Sequence, residues 1–228
     1  MSISQAQFFE KSLKKTSRYP FLHKYIPFDR YIIRPPASLI VKALFKTRIT
    51  PNQVTATSFI FALLAALAYT GARPVYFALG GCLALISTIL DAADGTLARA
   101  KNMTSRYGAF LDLFLDRVAE FAVLTGVSFG YFKYARSYSF LIFGLVTIGL
   151  FFLQLCLYYL DLFYTRTEQN GDGAEPKSVA VCLIFVVSVA GRPDAIIAAV
   201  FLMASIGTII KLVRFLRKGD EPDAAQAR

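Results

Sequence analysis

Five acidic side chains, Asp91, Asp94, Asp112, Asp116 and Glu120, fall in stretches otherwise dominated by Leu, Ile, Phe and Ala. Their spacing is helical. Asp91 and Asp94 stand three residues apart and Asp112 and Asp116 four apart, so in helices each pair projects from one face with side chains roughly 5–6 Å from each other. Carboxylates that close cannot all stay ionised without cations among them. Ligation by oxygen alone selects hard divalent ions such as Mg2+ or Mn2+. Two such ions bridged by shared aspartates are the arrangement that holds both the attacking and the leaving oxygen in phosphoryl transfer. The flanking residues suit a phosphate ligand. Gly95 opens the backbone directly after Asp94, Ala98 keeps the same face low one turn on, Arg99 supplies a fixed cation, and Gly108 gives similar clearance ahead of Asp112.

The elements that must position these residues are membrane spans. The chain has 228 residues, of which 56% are hydrophobic and only 18% charged, against about 25% charged in a soluble domain. With a mean hydropathy of +0.51, a water-soluble globule and a disordered chain are both excluded. Six apolar segments approach or exceed the ~20 residues needed to cross a bilayer, at 53–71, 75–97, 108–131, 139–164, 178–191 and 193–214. The fifth is the shortest. The fold expected is therefore an all-α integral membrane protein of six transmembrane helices. A charged Asp near the bilayer centre costs ~2.5–3.5 kcal/mol, so four would cost on the order of 10 kcal/mol if nothing compensated them. Cys82, Cys156 and Cys182 lie inside apolar runs at wide spacing, which suits small core hydrophobes and neither a disulfide framework nor a zinc site.

Charge sets the orientation. Of 25 Lys and Arg, ten fall in residues 1–50, three in 98–107, two in 165–177 and five from Lys211 onward. Arg73, Lys133, Arg136 and Arg192 fall on the other side, and Arg117 lies within a span. By the positive-inside rule both termini, and the acidic cluster with them, face the cytoplasm. The +10 net charge borders apolar runs and lacks the polar base readers of a nucleic-acid surface, so no nucleic-acid partner is expected. Residues 1–50 lack the short apolar core and small-residue cleavage site of a signal peptide. They form instead a basic arm, with residues 37–45 as an amphipathic helix in the headgroup plane and Lys42 and Lys46 reaching anionic lipid. This divides the chain into an arm (1–50), a six-helix domain (51–217) and a cytoplasmic tail (218–228).

Buried carboxylates would also suit a cation or proton path. Such a path needs polar groups continuing to the far side. Beyond Glu120, residues 121–130 offer only Thr125 and Ser128, which weighs against it.

Taken together, Asp91 to Asp116 spells D-x2-D-G-x2-A-R-x8-G-x3-D-x3-D, with Asp91, Asp94, Gly95, Ala98, Arg99, Gly108, Asp112 and Asp116 in its fixed places. This resembles the signature of the CDP-alcohol phosphatidyltransferase family. With each residue type at roughly 5–7% of ordinary usage, a chance match per start position is on the order of 10^-10. Thr50-Pro51-Asn52-Gln53-Val54-Thr55 is similar to the T-P-N-x-V-T stretch before the family's first span, and Gly191-Arg192-Pro193-Asp194 to one before the last span of some members. The resemblance implies that Asp91, Asp94, Asp112 and Asp116 ligate two divalent cations and that Asp116 is also the catalytic base. It further implies that Asn52, Gly95, Ala98, Arg99 and Gly108 lie near the cytidine and diphosphate of a CDP-linked donor. The reaction implied is transfer of a substituted phosphate from that donor to an acceptor alcohol with release of CMP. CDP-diacylglycerol or a related CDP-lipid is the donor expected, with a soluble CDP-alcohol transferred to a lipid hydroxyl as the alternative. A polyol phosphate acceptor, inositol phosphate or glycerol phosphate, is slightly favoured, with Arg166, Lys177, Lys211 and Arg214 as its candidate cations. Partners expected are membrane lipids and a second copy in a homodimer.

Two further features have local readings. Glu120 is expected to pair with Arg117. Gly126 and Gly130 have the spacing that lets helices approach closely, within one chain or between two.

Overall fold

The computed structural model describes residues 29–165, 185–188 and 193–219, and all regular structure among them is helical. A π-helical turn at Asp29–Ile33 leads into α1 (Arg34–Phe45), followed by α2 (Pro51–Tyr69), α3 (Pro74–Ala100), α4 (Arg106–Ala135), α5 (Tyr138–Thr165) and α6 (Pro193–Gly219). The expected spans 53–71, 75–97, 108–131, 139–164 and 193–214 thus correspond to α2 to α6. The fifth, 178–191, lies outside the described residues except for helical residues 185–188. α2 and α4 begin two residues ahead of their apolar stretches because capping, not hydropathy, sets their starts. Thr50 and Gln53 form a reciprocal capping box with Pro51 in the first turn of α2, and Ser105 Oγ accepts from the Gly108 amide at the start of α4.

α2 is the shared wall of the molecule. It packs on both α3 and α4, and its inward face carries Val54, Thr55, Ser58, Ala62, Ala65, Ala66 and Tyr69. Its outward face carries Ile60, Leu64 and Leu67, with Leu67 67% exposed. Small and hydroxyl-bearing residues inside with large aliphatics outside is the pattern of a helix whose solvent is lipid. α2 and α3 are each long and apolar enough to cross a bilayer. The hydroxyls are satisfied locally: Thr55 donates to Pro51 O, Ser58 to Thr55 O, and Ser87 of α3 across to Ser58 O at 2.8 Å.

Two clusters hold the bundle. At one end Ala37 and Val41 of α1 pack with Val54, Ala93, Leu97 and Ala100, fixing α1 against α3. At the other, Tyr69, Phe77, Ala84, Val127 and Tyr131 join Val200 of α6. Gly126 and Gly130 of α4 lie against the α2 backbone at Ala66 and Tyr69, so their close approach is made within one chain. α5 and α6 pack together, with buried Gln154 Nε2 donating to Ala204 O at 2.6 Å.

The α2–α3 turn places Ala72 at φ 56°, a left-handed conformation that penalises any Cβ. Ala72→Gly is expected to raise stability by up to about 1 kcal/mol. The thermal midpoint of the detergent-solubilised protein checks this, and a lower midpoint would contradict it.

Candidate active site

The two aspartate pairs lie at matching depth. At 1.5 Å rise per residue, Asp94 and Asp91 sit roughly 9 and 14 Å before the end of α3 at Ala100, and Asp112 and Asp116 roughly 9 and 15 Å after the start of α4 at Arg106. A short loop joins those ends, so the pairs face each other. Carboxylate oxygens of Asp91, Asp112 and Asp116 all lie within 4.8 Å of one another.

Two features of the packing position these side chains. α3 and α4 both make their closest backbone approach to α2, and they meet each other through side chains, the rings of Phe77 and Tyr134 lying 6.0 Å apart. The small-residue face of α2 accepts both helices, and the space left between them is where the carboxylates meet. Asp94 lies beside this group. Asp94 is only 4% exposed and turns toward α2, with Thr55, Asp112 and Asp91 as its neighbours. Its Oδ2 is buried without a hydrogen-bond partner. A bare carboxylate oxygen inside a bundle is costly unless a cation or ligand completes it, and the donor set is all oxygen. These residues fit hard divalent ions.

The remaining expected residues gather at the same end. Asn52, in the first turn of α2, places Oδ1 3.2 Å from where a Cβ on Gly108 would stand, and Ser105 Oγ lies 3.1 Å from that point. Gly108 is thus close to both side chains, and a Cβ there would require them to give by a few tenths of an ångström. Gly95 is the reverse case: a Cβ would meet only the Arg99 guanidinium, Nη1 at 3.5 Å. Packing does not demand a glycine at this position, so the open surface is available to a ligand. Arg99 folds back along α3, its Nη2 donating to Thr96 Oγ1 at 3.4 Å, which carries its charge toward Gly95 and the aspartates. Ala98 is half-buried one turn beyond Asp94. The structure therefore brings Asn52 to Gly108 and Arg99 to Gly95, on the helix ends that also carry the carboxylates.

Arg117 Nη1 pairs with Glu120 Oε2 at 2.8 Å, as expected. Thr125 and Ser128, the polar residues deeper in α4, donate to the Phe121 and Leu124 carbonyls of their own helix; no polar path leads onward from Glu120 among them. Of the candidate acceptor cations, Arg166 and Lys177 lie outside the described residues, and Lys211 and Arg214 lie on α6. Sequence reasoning missed Ser105 as the cap that presents Gly108, although a Ser three residues before it at a helix start is a legible signal. It also missed Lys101, whose ammonium binds backbone carbonyls of residues 47 and 49, partners that leave no mark in sequence.

Residues 48–218 match the family model described as CDP-alcohol phosphatidyltransferase. The archaetidylinositol phosphate synthase of Pyrococcus horikoshii is 28% identical over 186 residues, covering 80% of this chain and 90% of that protein. The fold is similar to that of Mycobacterium tuberculosis phosphatidylinositol phosphate synthase crystallised with CDP-DAG bound, with a TM-score of 0.64 at 21% identity over 84% of this chain and 97% of that one. The same enzyme in complex with manganese and citrate gives a TM-score of 0.63 at 21% identity, over 84% and 92% of the two chains.

Proposed function

Since this chain belongs to the CDP-alcohol phosphatidyltransferase family, membrane transferases of phospholipid biosynthesis, we propose that it transfers a phosphatidyl-type group from a CDP-lipid to inositol phosphate and releases CMP. The observation that carries this is the meeting of Asp91, Asp112 and Asp116 within 4.8 Å across two helices that both pack on α2, beside the buried bare oxygen of Asp94. The donor assignment draws support from the CDP-DAG complex of the structural relative, and the acceptor from the name of the archaeal relative.

In this reading Asp91, Asp94, Asp112 and Asp116 hold two divalent cations, Mg2+ or Mn2+, as the manganese complex of the structural relative also suggests. Bound ions would offset the diphosphate charge and that developing on the leaving CMP. Asn52, Gly95, Ala98, Arg99 and Gly108 line the nucleotide end. The guanidinium of Arg99 binds diphosphate oxygens, and the open surface at Gly95 lets the diphosphate lie against α3. Asp116 takes the proton from the acceptor hydroxyl as that oxygen attacks the phosphorus remote from cytidine. The bond from that phosphorus to the bridging oxygen breaks, and the electron pair leaves with CMP. No covalent enzyme intermediate is needed.

The reading also includes six spans within a domain at 51–217, α1 lying in the headgroup plane ahead of it, a tail at 218–228, and both termini with the site at the cytoplasmic face. A homodimer belongs to it as well. The Gly126 and Gly130 seam, already used against α2, is not its interface.

The test is purified protein with Mn2+, CDP-diacylglycerol and, separately, inositol phosphate, glycerol phosphate and inositol. CMP release is expected with inositol phosphate at a rate at least tenfold above the other two. Equal release with all three would remove the acceptor assignment. A soluble CDP-alcohol supplied with diacylglycerol tests the reverse donor arrangement, and turnover with that pair alone would replace the CDP-lipid.

A further inference from the structure

The connector between α1 and α2, residues 46–50, is tied to the end of α3 by one side chain. Lys101 Nζ donates to Thr47 O at 3.0 Å and to Ile49 O at 2.7 Å. The connector is folded to present both carbonyls to one point. The Thr47 amide and Oγ1 both donate to Leu44 O, the Ile49 amide donates to Thr47 Oγ1 at 3.3 Å, and Thr50 then caps α2. Lys101 is the C-cap residue of α3, an end at which the helix dipole favours a cation. Two of its three donors are spent on carbonyls, which sets it apart from Arg99, two residues earlier, whose guanidinium lies toward Gly95.

The clasp lies between residues assigned to the nucleotide. Ile49 precedes Asn52 by three residues, and Arg99 precedes Lys101 by two. Asn52 in turn abuts Gly108 at the start of α4. The connector ahead of α2 and the end of α3 thus meet at one ammonium, and the first turns of α2 and α4 at one amide. We infer that Lys101 is a positioning residue for the CMP end of the donor, holding Asn52 in register with Arg99 and Gly108 through the connector it grips. This rests on the CDP-donor reading. Lys101 does not itself touch the phosphates in this arrangement, so its loss weakens donor binding and spares the chemical step.

The test compares wild type, Lys101→Met and Lys101→Arg in detergent with Mn2+. CMP affinity is measured by calorimetry, KM for CDP-diacylglycerol and kcat by CMP release, and tryptic cleavage after Arg48 by mass spectrometry. Lys101→Met is expected to raise both the CMP Kd and the donor KM roughly tenfold with kcat within about twofold, a split that loss of fold would not produce. Cleavage after Arg48 is expected to accelerate. Lys101→Arg, which keeps a charged donor within reach, is expected to restore KM to within about threefold of wild type. Unchanged Kd and KM in the Met variant, or a fall in kcat at constant KM, would overturn the inference. So would a lowered thermal midpoint with unaltered KM in the folded fraction. Wild type that binds CMP no better than GMP would instead refute the donor reading, while the Arg48 cleavage rate would still report whether the clasp exists.

Discussion

Asp116→Asn is expected to lower kcat for CMP release by a factor of about 10^3 or more, the range lost when a positioned general base is removed. The substitution is nearly isosteric. It removes a proton acceptor and one negative charge from a group of three whose oxygens lie within 4.8 Å, and Asp116 is only half-buried, so the helix around it has no reason to unfold. Asp91, Asp94 and Asp112 remain to hold cations, so the variant should still bind Mn2+, more weakly. Chelation separates the two roles. In wild type EDTA should stop CMP release and added Mn2+ restore it; in the variant no concentration of Mn2+ should do so. Turnover within tenfold of wild type, at unchanged circular dichroism, would show that the proton goes elsewhere.

Gly130→Ala should be among the most damaging substitutions in the chain for stability, although it adds one methyl group far from the aspartates. A Cβ at this position falls onto the carbonyl of Tyr69, backbone that cannot swing aside as a side chain would. α4 would have to back away from α2, and overpacking of this kind costs about 1–3 kcal/mol. Gly126→Ala meets the α2 backbone at Ala66 in the same way. Gly149→Ala is the control: a Cβ there meets nothing within 4 Å, and the gain in helix propensity should leave it neutral or stabilising by up to about 1 kcal/mol. Thermal midpoints of the three variants check the contrast. Because the seam is internal to one chain, the oligomeric state should not change. If Gly130→Ala melted like wild type, α2 and α4 would not be packed as described.

The aspartates were legible because a helix converts spacing into direction. Three- and four-residue intervals fixed their faces, and their equal distance from a short loop fixed their depth. Gly95 and Gly108 were likewise legible as places of close approach, though only coordinates show that one is open and the other lies against Asn52 and Ser105. What periodicity cannot reveal is which neighbour a helix chooses. Consecutive helices joined by a short loop do touch, Phe77 against Tyr134, yet α3 and α4 both choose α2 for their closest backbone approach, where its Ala, Ser and Thr face admits close contact. The turning of Asp94 toward Thr55 follows from that choice and was hidden with it. The partner of Gly126 and Gly130 was open for the same reason, because a spacing names no opposite surface.

Because α3 and α4 both make their closest backbone approach to α2, the thickness of α2 works as a gauge block for the pair. Enlarging Ser58 or Ala62 on its inward face would shim the two acidic helices apart and open the distance between oxygens that never touch either residue. The tolerance of the chemistry is in this way written into side-chain volumes one helix removed from it.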